Sequence, residues 1–190
     1  MNKKYWDEFY KKDHTLIRSE FARWIAEYFS HKKDINIIDV GCGNGRDVKY
    51  FRDKFSKSEI HPFGIDQSYC EKDFILQSDF NSILNNFDIV YSRFFIHALK
   101  MEEIHRFIEW SSKSKYFVAE FRIRGDEPKI YKDHSRTLID PPFIYYLLGI
   151  YNFEIEELHV GKGMAKYLEE DPLVCRIIAK NKNYEKGITN

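Results

Sequence analysis

Between Leu16 and Phe29 the apolar residues Ile17, Phe21, Trp24, Ile25 and Tyr28 return every three or four positions, with Arg18, Glu20, Arg23 and Glu27 between them. This spacing predicts an amphipathic helix. Ile35 to Val40 is a short β-branched run that predicts a buried strand. A glycine-rich turn, Gly41 to Gly45, follows, and then Val48, Tyr50, Phe51 and Phe55 again fall at helical spacing. Further strands are expected at His61 to Ile65, Phe74 to Gln77, Asp88 to Tyr91, Tyr116 to Phe121, Phe153 to His159 and Leu173 to Ala179, with helices at Glu102 to Trp110 and Phe143 to Leu148. Strands alternating with helices predict an α/β fold in which helices cover a largely parallel sheet. The nine residues from Asp66 to Phe74 leave room for one helical turn at most.

Composition adds limits to this picture. A chain of 190 residues that is 43% hydrophobic and 17% aromatic suits one domain with a substantial core, here residues 1–180, followed by a polar tail at 181–190. Thirty basic and thirty acidic side chains cancel. A global positive field of the kind that gathers phosphate backbones is therefore not expected. Cys42, Cys70 and Cys175 are widely spaced and form no CxxC pair, which argues against a disulfide framework or a zinc site. With no signal-like or membrane-length apolar run, the expectation is a cytoplasmic protein that does not engage a membrane.

The densest chemical signal is Asp39-Val40-Gly41-Cys42-Gly43-Asn44-Gly45, placed where a strand passes into a helix. Closely spaced glycines admit a ligand against the main chain, and the opening helix offers free N–H groups. A dinucleotide fingerprint requires glycine three places after Gly43, but Arg46 stands there. About 20 residues on, the second strand ends at Asp66, where a carboxylate is placed to accept from both hydroxyls of a ribose.

In these features the chain resembles class I S-adenosylmethionine-dependent methyltransferases, over roughly residues 35 to 123. The resemblance implies a Rossmann-like sandwich with a seven-stranded, mostly parallel sheet whose last strand is antiparallel, and S-adenosylmethionine as cofactor. Gly41, Cys42, Gly43, Asn44 and Gly45 match the family's first motif, and Asp66, beside Gln67, matches its ribose-binding acid. Within Gln77-Ser78-Asp79-Phe80, Asp79 stands where the family often approaches the adenine amino group, flanked by Ser78 and Phe80. Ser92, Arg93 and Phe94, in the stretch Phe87 to His97, match the fourth motif, which lies beside the methyl donor. The Tyr5 to Tyr10 opening is similar to the N-terminal lid of small-molecule members, which puts Trp6 and Tyr10 near the cofactor. Asp39 is either a further contact or an organiser of the glycine turn.

Residues 124–180 are left to form the acceptor side. His97, six residues beyond Tyr91, is a candidate general base or else a hydrogen-bonded helix histidine; His134 is the alternative base. Alternation places Arg122 and Arg124 on one side of an extended segment, where with Arg136 and His134 they could hold an anionic group; the other reading is a solvated edge neutralised by Glu120 and Asp126. Gly161 to Tyr167 is either a segment that closes over the acceptor or a plain hairpin connection. The DNA N-methylating motif is absent from Ser92-Arg93-Phe94-Phe95, and no Pro-Cys pair exists for cytosine C5 chemistry. The expectation is therefore methyl transfer, by O-methylation, to a small anionic or sugar-like acceptor, without a metal or DNA. A non-catalytic cofactor-binding module and an RNA methyltransferase are the competing readings.

Overall fold

A computed structural model describes residues 17–32, 34–58, 61–68, 71–84, 86–125, 137–167 and 169–184. In chain order the elements are α1 (Glu20–Tyr28), β1 (Ile37–Val40), α2 (Arg46–Lys54), β2 (Phe63–Asp66), β3 (Ile75–Gln77), β4 (Ile89–Arg93), α3 (Met101–Ser111), β5 (Tyr116–Arg122), α4 (Pro141–Ile150), β6 (Phe153–Gly161) and β7 (Val174–Asn181). Single 3₁₀ turns lie at Phe80–Ser82 and Ile96–Ala98.

The seven strands form one sheet in the order β3-β2-β1-β4-β5-β7-β6. β1 to β5 pair in parallel, and β7 is antiparallel to both β5 and β6 between which it lies. The last strand is thus the antiparallel one, as expected. After β3 the chain crosses from one side of β1 to the other, so β1 and β4 flank the point where the strand order reverses. In open α/β sheets, ligands bind at such a point, beyond the carboxyl ends of the strands.

Strand alternation divides the core in two. Ile37, Ile89, Tyr91, Val118 and Ile178 face α1 and α2, packing on Phe21, Ile25 and Phe51. Val90, Phe117, Ala119, Phe121 and Ile177 face the opposite way, against Phe107 and Ile108 of α3 and Ile144 and Leu148 of α4. Every residue of β5 is buried, as its central position requires.

Several boundaries differ from the sequence expectation. α1 begins at Glu20, because the Ser19 hydroxyl accepts the Ala22 N–H at 3.0 Å and caps the helix there. Ile17 is left 78% exposed outside the apolar stripe. α4 starts two residues before Phe143, since Pro141 and Pro142 occupy its first turn, where no intrahelical N–H is needed. β4 and β5 run on to Arg93 and Arg122, so these two arginines sit on rigid strands rather than in loops. No described helix is long and apolar enough to cross a membrane.

Candidate functional site

The turn between β1 and α2 owes its shape to its glycines. Gly41, Gly43 and Gly45 take φ values of 75°, 55° and 70°, in the left-handed region that a side chain disfavours. Gly41 is doubly restricted, because a Cβ there would run into the Phe95 ring. The first N–H groups of the turn, those of Gly41 and Cys42, donate to Ile65 O on β2 at 2.9 and 3.2 Å. Cys42 itself packs towards Gly64, where a Cβ would strike its sulfur.

Asp66 joins the turn to the end of β2. One carboxylate oxygen accepts the Gly43 N–H and the other the Ser68 N–H, both at 2.8 Å, and the residue is only 9% exposed. Each oxygen keeps a second lone-pair direction. Asp79 lies beyond β3, where it accepts from the Gln67 amide at 2.7 Å and caps the Phe80–Ser82 turn through Asn81. The structure therefore brings Gly43, Asp66, Gln67 and Asp79 into one hydrogen-bonded rim. Ser78 continues it, donating its N–H to Asp66 O at 3.0 Å. Asn44 lies across the turn, its carbonyl held by Lys72. The Phe80 side chain turns away into the aromatic core with Phe95, Phe107 and Trp110.

Beneath the turn lies a buried polar network that the sequence reading missed. Asp47, in the first turn of α2, accepts the Ser19 N–H and Ser19 hydroxyl at 2.7 Å each, and the Tyr91 hydroxyl at 2.8 Å. This ties the start of α1 to the glycine turn and to β4. Asp39 is buried nearby, and none of the described residues donates a hydrogen bond to its carboxylate. Burial raises its pKa well above the usual carboxylate range; Asp47 and Asp66 add to the rise, while Arg93 and Arg46 oppose it. Burial, followed by Asp47, likewise pushes the Tyr91 phenol up. The Asp in the Gly-Asn-Gly-Arg-Asp run was visible as a helix-start residue, but its partners Ser19 and Tyr91 lie 28 and 44 positions away.

On the other side of β4 the character changes to charge. Arg93, Glu120 and Arg176 stand side by side on β4, β5 and β7. Glu120, 1% exposed, accepts from Arg93 Nε at 2.8 Å and from Arg176 Nε at 2.6 Å. Burial lowers the Arg93 pKa, yet Glu120 and Asp47 more than compensate, so the guanidinium is held above its ordinary value. Arg93, expected against the cofactor, is thus committed to this row. Arg122 pairs with Glu170 from the β6–β7 connection at 2.5 Å. The Phe94 ring lies between Arg93 and Arg122, with guanidinium carbons 4.3 and 5.7 Å from its centroid, and its backbone takes an unusual φ of 57°. Ser92, on β4, keeps a buried hydroxyl that meets no hydrogen-bond partner among the described residues.

Two expectations about the acceptor side change. Arg122 and Arg124 do not share an environment: β5 ends at Arg122, and Arg124 is exposed and pairs with Asp140 at 3.1 Å. Glu120 serves Arg93 and Arg176 rather than neutralising Arg122. His97 is 4% exposed, and its Nδ1 accepts the Arg122 N–H at 3.2 Å. A neutral ring that accepts a main-chain N–H at Nδ1 carries its own proton on Nε2 and has no lone pair left to act as a base. This geometry fits the hydrogen-bonded reading of His97. Trp6, Tyr10, His134 and Arg136 lie outside the described residues.

No protein-family model and no curated protein matches the chain. Solved structures do. The chain aligns over 85% of its length, and 78% of the other's, with 1,6-didemethyltoxoflavin-N1-methyltransferase of Burkholderia thailandensis bound to its substrate and S-adenosylhomocysteine, at 12% identity and a TM-score of 0.66. Magnesium protoporphyrin IX methyltransferase of Synechocystis PCC 6803 with bound S-adenosylhomocysteine aligns over 84% of this chain and 81% of its own, at 12% identity and a TM-score of 0.63. A chain from the complex between the Haloferax volcanii Trm112 methyltransferase activator and its proposed methyltransferase aligns over 98% of both, at 13% identity and a TM-score of 0.68. At such identities the likeness is one of fold, and the fold is that of class I S-adenosylmethionine-dependent methyltransferases.

Proposed function

We infer that this protein transfers a methyl group from S-adenosylmethionine to a small anionic acceptor, by O-methylation. The observation that carries the reading is the rim at the β1/β4 switch point: a main-chain floor of left-handed glycines whose Gly43 N–H is gripped by Asp66, with Asp79 and Gln67 beside it. Structural neighbours crystallised with S-adenosylhomocysteine support the choice of cofactor.

The donor set suits an adenosyl ligand. Asp66 keeps lone pairs for the ribose diol, Asp79 and the exposed Gln67 suit a polar base edge, and the Ser92 hydroxyl near the end of β4 is buried without a hydrogen-bond partner among the described residues. Bound there, S-adenosylmethionine supplies an electrophilic methyl on a cationic sulfur. Methyl transfer is an in-line displacement, so the residues of this chain have to align the acceptor and exclude water. In the arginine wall at the ends of β4 and β5, Glu120 holds Arg93 and Arg176, and Arg122 stands outside that row, where a guanidinium can meet an anionic acceptor. His97 acts as a positioning residue that fixes the Arg122 main chain. The glycine turn, the rim and the arginine wall supply binding and alignment, so the acceptor oxygen is expected to react without a base from His97.

Calorimetric titration with S-adenosylmethionine, S-adenosylhomocysteine and NAD tests the cofactor reading directly. Heat with the two adenosyl sulfur ligands and none with NAD is the expected result. Turnover to S-adenosylhomocysteine across a panel of small carboxylates, phosphates and their neutral analogues then tests the reaction, and binding without turnover on any of them would favour a non-catalytic module.

A further inference from the structure

We propose that β6 is the seat of a twofold interface, in which two copies of this chain pair antiparallel along their outer β6 edges with His159 opposite its own counterpart. The inference stands apart from the methyltransferase reading.

β6 closes the sheet at the end away from β3, and among the described residues it pairs with β7 alone. An edge strand offers a row of main-chain donors and acceptors to another strand, and many edges are kept short or charged to prevent such pairing. β3 has only three residues, whereas β6 has nine. The bulge between Ile155 and Glu157 leaves Glu157 to Gly161 as a regular stretch of β6. Within it Leu158 and Val160 are 41% and 52% exposed. They lie opposite Ile177 and Cys175 of β7, so they point to the side of the sheet that α4 covers. α4 packs against β6 there, and its Tyr145 reaches Cys175. This helix carries no charged residue from Pro141 to Ile150, yet Tyr146 and Ile150 are exposed. A helix that is apolar all round is normally covered.

The charge pattern identifies the occupant as a second copy. Glu154, Glu156 and Glu157 precede Leu158, and Lys162 and Lys166 follow it. Parallel pairing would lay one acidic half on another. Antiparallel pairing about His159 instead sets Leu158 beside the partner's Val160 and Glu156 beside the partner's Lys162, each twice by symmetry. The exposed apolar side chains of both strands then meet on one face. Lys180 and Lys182 reach Glu156 and Glu154 only at 3.8 Å, which leaves these carboxylates able to take a second cation. An axis at Glu157 would set that carboxylate against itself. His159 is held in place by its own chain, edge-on to Trp24 with ring centroids 5.2 Å apart and 3.3 Å from Glu157. Pairing over so short a stretch is small beside the roughly 1,200 Å² of a stable complex, so a dissociation constant of about 10–100 μM is expected.

Sedimentation velocity across that concentration range should show monomer passing to dimer, and Leu158→Lys and Val160→Lys, each with an intact thermal transition, should remain monomeric. Glu156→Lys and Lys162→Glu should each associate at least tenfold more weakly than wild type. Mixed together they should recover the association, because both charge contacts of the mixed dimer are again between opposite signs. Residues facing each other across an antiparallel pair lie about 4.5–5.5 Å apart at Cα, within reach of a disulfide. His159→Cys should therefore crosslink to itself on oxidation, with the wild-type protein as the blank, whereas Lys162→Cys, about 20 Å from its counterpart at about 3.4 Å per residue, should not. A monomer at every concentration, a mixture as monomeric as its components, or equal crosslinking of the two cysteine variants would overturn the proposal.

Discussion

The two halves of the site, either side of β4, are built from different materials. On the β1–β2–β3 side the floor is main chain, shaped by Gly41, Gly43 and Gly45 and fastened by Asp66 within a span of 28 residues from Asp39 to Asp66. On the β5–β7 side the working groups are long charged side chains, and Glu120 meets an arginine 56 positions away. A main-chain floor binds what many proteins share, because every residue offers the same N–H and C=O groups. A side-chain wall can be re-specified one residue at a time, which is what an acceptor site requires. The same contrast separates how the halves fail: the first through backbone strain, the second through stranded charge.

Glu120→Ala should give the largest effect on stability. It leaves Arg93 and Arg176 buried without their counter-ion, at a cost of about 3–5 kcal/mol by urea unfolding. A loss below about 1 kcal/mol would mean that water already reaches this row. Gly41→Ala attacks the other half, combining left-handed strain with overlap on Phe95, and roughly 2–4 kcal/mol of destabilisation is expected. Its binding of S-adenosylhomocysteine should fall as well, whereas binding in a folded Glu120 variant should be largely kept. Asp66→Ala should weaken that ligand by about 1–3 kcal/mol in calorimetry, and unchanged affinity in a folded variant would remove Asp66 from the ribose role.

Asp39 sharpens the comparison through pH. Its folded pKa is raised, so the native state holds a proton that the unfolded chain releases, and stability is lost as pH rises from about 4 through the folded value. Asp39→Asn should therefore gain stability relative to wild type as pH increases over that window. Parallel curves for the two proteins would show that Asp39 titrates normally. The smallest effect belongs to Arg124→Ala: an exposed pair with Asp140 is worth at most about 1 kcal/mol, and stability in urea unfolding should not respond noticeably. A loss well above that would show that Arg124 does more than pair with Asp140 at the surface.

Much of the first half was legible because its signals are local. The strand, glycine turn and helix around Gly41 to Gly45 follow from period and composition, and Asp66 follows from its spacing. Hidden there were Asp47 and its partners, since nothing around Ser19 or Tyr91 announces that the two side chains meet across the sheet face. The second half was mostly illegible. Arg122 and Arg124 look equivalent in an extended run, but the strand ends between them, leaving one buried against Glu170 and the other in solvent with Asp140.

By itself the sequence determined the alternation of strands and helices, the two-sided core and the conformationally special glycine turn, all of which depend on neighbours within a few residues. Only the tertiary structure decided which charges meet. The insertion of β7 between β5 and β6 brings Arg176 against Glu120, and the connection preceding it brings Glu170 against Arg122. Such pairings are set by strand order and register, and a linear pattern of charges does not encode either one.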